Sequence, residues 1–305
     1  KIEDLKSVFD NEKIFKIVYS LKNMLKVLVQ QNCMIKGDVF DVMLAGYLLK
    51  PAQASFALSG LVWEFLKESL PEDSKSANAA YQLFRLYPVL LKELQDKSLI
   101  KLFEEIEMPL SEVLFKMEKE GVCLDTDLLS ELSKECDLKI QQLTEQIYIK
   151  AGEKFNLNSP KQLSHILFEK LKLPVVKKTK TGFSTNEEVL LKLAQKHDVP
   201  VLILEYRQFA KLKSTYIDAF PQLINSETGR IHAKFLQTGT ETGRLSSRHP
   251  NLQNIPVRTE LGRQIRKAII PSQGNILIAA DYSQIELRIL AHLSDDENLI
   301  EAFQS

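Results

Sequence analysis

The 305-residue chain is poor in what marks several large protein classes. It has three cysteines, Cys33, Cys123 and Cys136, an odd number without C-x-x-C spacing, so neither a disulfide framework nor a zinc site is supported. All three are read as buried apolar thiols. No apolar run approaches the roughly 18–20 residues of a membrane span. The first ten residues, KIEDLKSVFD, mix acids and bases and lack the apolar core of a secretory signal. No membrane partner is expected, and the predicted location is the cytoplasm. There is no internal repeat, no low-complexity tract and no glycine-rich loop ending in Gly-Lys-Ser/Thr, which excludes a P-loop. Net charge is also missing, with 40 Lys+Arg against 40 Asp+Glu.

What is present is ordinary globular composition, 44% hydrophobic and 26% charged, in a length that predicts two or three domains. The zero net charge hides segregation along the chain. Residues 161–182 carry six lysines and one acid, and residues 205–270 carry eleven Lys+Arg and five acids. Residues 271–305 reverse the sign, with Arg288 against six acids. Two basic tracts before an acidic one fit a polyanion held beside a cation. Solvated faces are the plain alternative. The chain begins without Met and stops inside an apolar pattern at ENLIEAFQS, so it is expected to be part of a longer polypeptide.

Short apolar runs alternate with helical patterns in residues 1–104, an α/β composition, and LPEDSKSAN at 70–78 reads as an exposed loop. A helical pattern from Met108 to Gly121 precedes a strand-like VCLD. Asp125 or Thr126 then caps a long helix whose apolar positions Leu129, Leu132, Cys136, Ile140, Leu143 and Ile147 step by three or four, with Gly152 past its end. Ser159-Pro160 opens a second helix. Ser184 with Glu187, or Thr185 with Glu188, is a capping box for a third. A fourth is predicted from Pro200 to Pro221, with Arg207, Lys211 and Ser214 on one face. NSETGR then reads as a turn and IHAKFLQ as a strand.

Two segments carry chemistry. In NILIAADYSQIELRILAHL, 275–293, Ile276 to Ala280 predict a buried strand with Asp281 at its carboxyl end and a helix from about Ser283. Two readings fit Asp281: a ligand for a hard divalent cation, or a helix cap. Upstream, TETGRLSSRHPNLQNIPVR, 240–258, gathers Arg244, Ser246, Ser247, Asn251, Gln253, Asn254 and Arg258. Arginine donates bidentately to phosphate, while Asn and Gln suit minor-groove acceptors, where correct base pairs look alike. A self-satisfied loop is the plain alternative.

AKLKSTY at 210–216, TGRLSS at 242–247, PNLQNIPVR at 250–258 and DYSQIELR at 281–288, in this order along the chain, resemble the motifs of family A bacterial DNA polymerases, specifically the large fragment of Gram-positive, Bacillus-type members. The likeness continues through residues 158–185 and IEMPL at 106–110, and is looser over the first hundred residues. It implies an α+β multidomain chain: a degenerate ribonuclease H-like 3′–5′ exonuclease domain over 1–104, the approach to the palm and a helical thumb over 105–222, and the first part of an antiparallel-sheet palm over 223–305. The implied activity is template-directed DNA synthesis in replication and repair, on primer–template duplex and dNTPs, by a nucleoid-associated monomer completed by a C-terminal part of the same polypeptide. By the same resemblance Asp281, with the Tyr282 carbonyl, binds Mg²⁺. Ser283, Gln284, Ile285 and Glu286 face the dNTP, Glu286 as the gate against a 2′-OH. Arg244, Ser246, Asn251, Gln253, Asn254, Arg258 and Gln284 touch the duplex near the primer terminus, and Lys211, Lys213 and Thr215 belong to the thumb helix that grips phosphates.

Two cations about 3.5–4 Å apart would drive nucleotidyl transfer, and they need at least two carboxylates. The sequence offers one strand-end Asp, since Asp295 and Asp296 read as exposed helix-end residues; the resemblance puts the fingers and the second palm Asp after position 305. Lys22-Asn23-Met24 stands where proofreading members carry Lys-Tyr-Asp, and Ser74 and Asn78 where they carry Tyr-x-x-x-Asp. An inactive proofreading domain packed against the polymerase is therefore expected. A metal-dependent nuclease using Asp281 and Glu286, and a non-catalytic DNA-clamping module, are the rival readings.

Overall fold

The computed structural model describes residues 5–70, 76–179 and 182–304. Ser74, Lys180 and most of the expected 70–78 loop lie outside the described residues. The chain divides into two compact units, Lys1–Ile269 and Ile270–Ser305.

In the first unit, the N-terminal core is built on two short parallel strands, Lys16–Val18 and Val39–Asp41. Parallel strands need a crossover, and the helix Leu21–Gln30 supplies it. Asp41 ends the second strand and is almost wholly buried. Its carboxylate accepts the backbone N–H groups of Ser20, Leu21, Met43 and Leu44 at 3.0, 2.6, 2.9 and 3.4 Å, so it caps the helix Val42–Leu49 and fixes the start of Leu21–Gln30. Burial pushes this carboxyl above the usual Asp value, against the lowering by those four N–H groups. Against these elements pack the helices Leu58–Leu66 and Ser76–Asp96, the latter through Leu86, Leu90 and Leu94 at four-residue spacing. Gly46 lets two helices close: a Cβ there would meet Leu61 Cδ2 at 2.4 Å. The expected loop over 70–78 thus gives way to helix by Ser76.

The helix Met108–Glu120 ends at Gly121, whose φ of +65° and closeness to Ile231 O leave no room for a side chain. Thr126–Ala151 follows, capped by Asp125 through Leu128 N at 2.9 Å and closed by Gly152, as the sequence predicts. Its buried stripe, Leu143 and Ile147 included, lies along Asp198–Leu212. Ion pairs Lys139–Glu205 (2.9 Å) and Lys150–Asp198 (2.7 Å) show that the two helices run antiparallel. Ser159 caps Pro160–Ser164 as expected.

The third cap is a correction. Asn186, not Ser184 or Thr185, accepts Val189 N at 3.1 Å and opens Glu187–Ala194. A one-residue shift suffices because Asn is as good a cap as Ser. The fourth helix starts at Asp198 under a His197 cap, and its regular part stops at Leu212. From Lys213 to Ile217 it widens into i→i+5 turns, Asp218 N bonding Lys213 O at 2.9 Å. Cys33 and Cys136 are buried as expected, whereas Cys123, on the short strand Cys123–Leu124, is only half-buried.

At the base of the long helices, Leu129, Leu132, Cys136, Leu212, Ile217 and Phe220 form a third core with Ile231, Ile255, Ile265 and Ala268. This core carries the antiparallel ladder Lys234–Leu236 with Ser246–Arg248, in register Phe235 to Ser247.

The second unit corrects the buried-strand expectation. Residues 275–282 have no regular structure, and Ile276 and Ile278 are 80% and 84% exposed. A strand requires partners for its backbone, and the other regular elements of this unit are the helices Ile285–Ser294 and Glu297–Gln304. Helix formation starts at Ile285, two residues later than predicted, after Gln284 in a left-handed conformation. Asp295 ends that helix and Asp296 caps the next through Leu299 N at 2.9 Å, both exposed as expected.

Candidate nucleic-acid interface

Along the helix that starts at Asp198, Leu204, Gln208, Lys211 and Thr215 recur every three or four residues and so share a face. That face forms one wall of a groove of about 830 Å³. The opposite wall is the loop bearing Asn251 and Asn254. Leu204, Leu212 and Phe220 are among its apolar lining, and its charged groups are Arg207, Lys211 and one acid, Glu187. Tyr216 holds the walls together by donating its phenol to Asn254 O at 2.7 Å, and burial pushes this phenol up, so it remains a donor at neutral pH. Arg207 donates to Thr185 O at 2.6 Å; burial lowers its guanidinium from the ordinary value. Lys211 is exposed.

The other expected duplex contacts divide. Lys213 is not in the groove lining: its ammonium is 2.7 Å from Asp218 and 3.4 Å from Asp137, and the Asp218 hydrogen bond raises its pKa. Ser133 Oγ, 2.8 Å from Asp218 Oδ1, completes this anchor. Arg244 is exposed, in the turn between the paired strands. Ser246 pairs with Leu236, its Oγ buried against Gly239, where a Cβ would come within 2.1 Å. Asn251 Oδ1 accepts Gln253 N at 3.0 Å and Ser247 Oγ at 3.2 Å, and Gln253 Nε2 donates to Leu245 O at 3.1 Å. The loop is therefore partly self-satisfied, as the plain alternative required, while presenting exposed Gln253, Asn254 and Arg258. Gln208 was missed in the sequence, although its three-residue spacing from Lys211 marks it.

In the second unit Asp281, Tyr282, Ser283, Gln284, Ile285 and Glu286 are all exposed. Arg288 Nε donates to Ser283 O at 3.0 Å, and its guanidinium stacks 4.7 Å from the Phe303 ring, which steadies the first helical turn. Asp281 offers one hard oxygen donor. Among the described residues no group of three or more His, Cys, Asp or Glu side chains gathers as a cation would need.

At the expected proofreading position, Met24 packs against the cluster of Val18, Leu21 and Leu25, and Asn23 Nδ2 donates to Ser20 Oγ at 2.8 Å. Asn78 is exposed near the start of Ser76–Asp96. Lys22 has a different task. Its ammonium donates to Glu118 and to Phe235 O, while Lys26 also pairs with Glu118 and Phe235 N donates to Glu118 Oε1 at 2.7 Å. Burial lowers the Lys22 ammonium despite Glu118. Burial alone would raise the Glu118 carboxyl, but the bonds from Lys22, Lys26 and Phe235 N outweigh it and hold the group below the usual glutamate range. A second junction is a chain of amide and hydroxyl groups: Ser111 Oγ donates to Gln237 Oε1 at 2.8 Å, and Gln237 Nε2 donates to Glu107 O and Oε2, both at 2.9 Å. These partners lie 92 to 213 residues apart, beyond any local sequence signal.

The first unit thus joins a two-stranded parallel α/β part, a pair of long antiparallel helices and a short antiparallel ladder, with the groove between the second of these helices and the loop after the ladder. Residues 126–305 match the family model "DNA polymerase family A", and residues 1–75 match "DNA polymerase I, ribonuclease H-like domain". DNA polymerase I of Caldicellulosiruptor bescii is 50% identical over 95% of this chain and 34% of its own length, and that of Bacillus subtilis 44% identical over 99% and 36%. The polymerase domain of Pol1 from M. smegmatis, solved in complex with primer–template DNA and dNTP, superposes with a TM-score of 0.90 at 38% identity, covering 99% of this chain and 53% of that one. The chain belongs to DNA polymerase family A. It spans about a third of the length of the curated relatives it matches. Members of this family depend on metal ions.

Proposed function

We propose that this chain serves template-directed DNA synthesis, as the part of a family A polymerase that grips primer–template and supplies the first catalytic carboxylate. The observation that carries the reading is the groove in which Lys211, Thr215, Asn251 and Asn254, expected to bind duplex from their motifs alone, line opposite walls. Lys211 meets phosphates as a point charge. Asn254 and Asn251, with exposed Gln253, Arg244 and Arg258 near the primer terminus, test the minor groove, whose acceptors are common to all correct pairs. Ser246 acts by pairing the strand that leads into this loop, and Lys213 by tying its helix to Asp137 and Asp218.

Asp281, with the Tyr282 carbonyl, would hold Mg²⁺, and a further carboxylate must come from elsewhere in the polypeptide. When bound, the metal lowers the pKa of the attacking 3′-hydroxyl and offsets charge on the pyrophosphate. Ser283, Gln284, Ile285 and Glu286 line the dNTP site, and Glu286 excludes a ribose. The polypeptide works as a monomer in the cytoplasm, on nucleoid DNA. Its ribonuclease H-like part does not proofread, since Met24 and Asn78 cannot supply metal-binding charge.

The test is Asp281→Ala in the complete polypeptide. Nucleotide incorporation should disappear while primer–template affinity stays within about twofold of wild type. Normal turnover would refute the polymerase reading. Mg²⁺-dependent degradation of DNA lost on the same substitution would favour a nuclease.

A further inference from the structure

The ribonuclease H-like part reaches into the turn that carries Arg244. Tyr47, on the helix Val42–Leu49 and only 2% exposed, donates its phenol to Thr240 O at 2.9 Å, across 193 residues of sequence. Gly243 has a φ of +78°, which favours glycine and makes the turn tight. Thr240 then passes the constraint on, because its hydroxyl donates to Arg244 O at 2.7 Å. One side chain from the first fifty residues therefore holds Thr240, and Thr240 in turn bonds the backbone of Arg244 at the far end of the turn.

The strand leading into this turn is held from the same side. Phe235 is fixed through its N–H by Glu118 and through its carbonyl by Lys22, and Gln237 is bonded to Glu107 and Ser111. These anchors set where the strand ends, and Tyr47 sets how the turn beyond it closes. The ring of Tyr47 is itself locked edge-on against Phe56, with centroids 5.5 Å apart.

From this relay we propose that Tyr47 is a positioning residue for primer–template binding, which makes the ribonuclease H-like part a brace for the Arg244 turn rather than a remnant. The proposal rests on Arg244 meeting DNA. Without the phenol, the turn samples conformations in which the Arg244 backbone is no longer held, and only a fraction of molecules presents the guanidinium correctly. Apparent affinity falls by that fraction, while a complex once formed reacts normally.

The experiment uses the complete polypeptide and a labelled primer–template. Tyr47→Phe keeps the ring and removes only the hydroxyl. It should raise Kd for primer–template by about fivefold, the worth of one net hydrogen bond, with kcat at saturating DNA unchanged. Thr240→Val, which removes the second link, should give the same split. In an Arg244→Ala background, Tyr47→Phe should change Kd by less than about twofold, because both act through one group. If Arg244→Ala weakens binding but Tyr47→Phe does not, or if their effects multiply, the brace is refuted and the DNA-binding reading stands. If Arg244→Ala leaves Kd and its salt dependence unchanged, both are refuted.

Discussion

Removing the Glu118 carboxylate should cost more stability than its single side chain suggests, because three partners converge on it. Glu118 is 3% exposed in its side chain and receives Lys22, Lys26 and Phe235 N–H. In Glu118→Ala the Phe235 N–H loses its acceptor inside the protein, about 1–3 kcal/mol. Lys22, 12% exposed, keeps Phe235 O but loses its counter-charge, whereas Lys26, 32% exposed, can rehydrate. Breaking a buried pair by deleting one member costs about 3–5 kcal/mol, and the escape of Lys26 places this site near the lower end, at about 3 kcal/mol. Glu118→Gln retains an oxygen for Phe235 N–H and should cost about half as much. Urea unfolding monitored by circular dichroism reads both variants as a lower midpoint at unchanged m. The pH dependence has a definite sign. A carboxyl held below its unfolded value adds stability that is complete above about pH 4.3 and is lost as pH falls through the folded value. The gap between wild type and Glu118→Gln should therefore be constant near neutrality and narrow below about pH 4. Equal stability of wild type and Glu118→Ala at pH 7, or a gap that widens with acid, would refute this account of the junction.

Asp41→Ala should destabilise the N-terminal core by about 3–5 kcal/mol, since four backbone donors lose their acceptor; urea unfolding followed by Trp63 fluorescence would check it. Burial raises the Asp41 carboxyl, so its charge costs stability as pH rises from the unfolded value through the folded one, the opposite of Glu118. Lys211→Ala should reduce the salt dependence of duplex binding by about one counterion, whereas Lys213→Ala should chiefly lower the melting temperature, because its ammonium already serves Asp218. Asn186→Ala should cost about 1 kcal/mol in thermal unfolding as a lost cap. The Cys136 thiol, pushed up to about 11 mainly by burial, should react with a thiol-directed reagent at pH 8 far more slowly than half-buried Cys123, as peptide mapping would show.

Local signals were most legible where the partners of a residue lie within one turn of it. Asp125, Gly152 and Ser159 bound their helices as read from sequence, because a cap bonds to an amide two or three residues away. The Ser184 reading failed at the same range, where Ser, Thr and Asn compete and chain direction decides. The widened turns at Lys213–Ile217 leave no mark in the spacing, yet they help decide which lysine meets the groove and which meets Asp218. Residues 275–282 show the opposite limit. Their composition is that of a buried strand, but composition records only a preference for cover, and neighbours must supply it.

The motif residues and the residues that hold them obey different rules of legibility. Lys211, Asn251 and Asn254 reveal their chemistry because each ends in a group that suits a nucleic acid, whatever the fold around it. Lys22, Tyr47, Glu118 and Gln237 end in equally polar groups, yet these are spent on the Phe235–Arg244 segment or on side chains that fix it. A buried polar group is stable only when paired, so each of these contacts constrains a strand as strictly as a core leucine would, and with more directional specificity. Within the ribonuclease H-like part, Lys22 and Tyr47 end on the backbone carbonyls of Phe235 and Thr240, so that part is held to the Phe235–Arg244 segment by directional bonds.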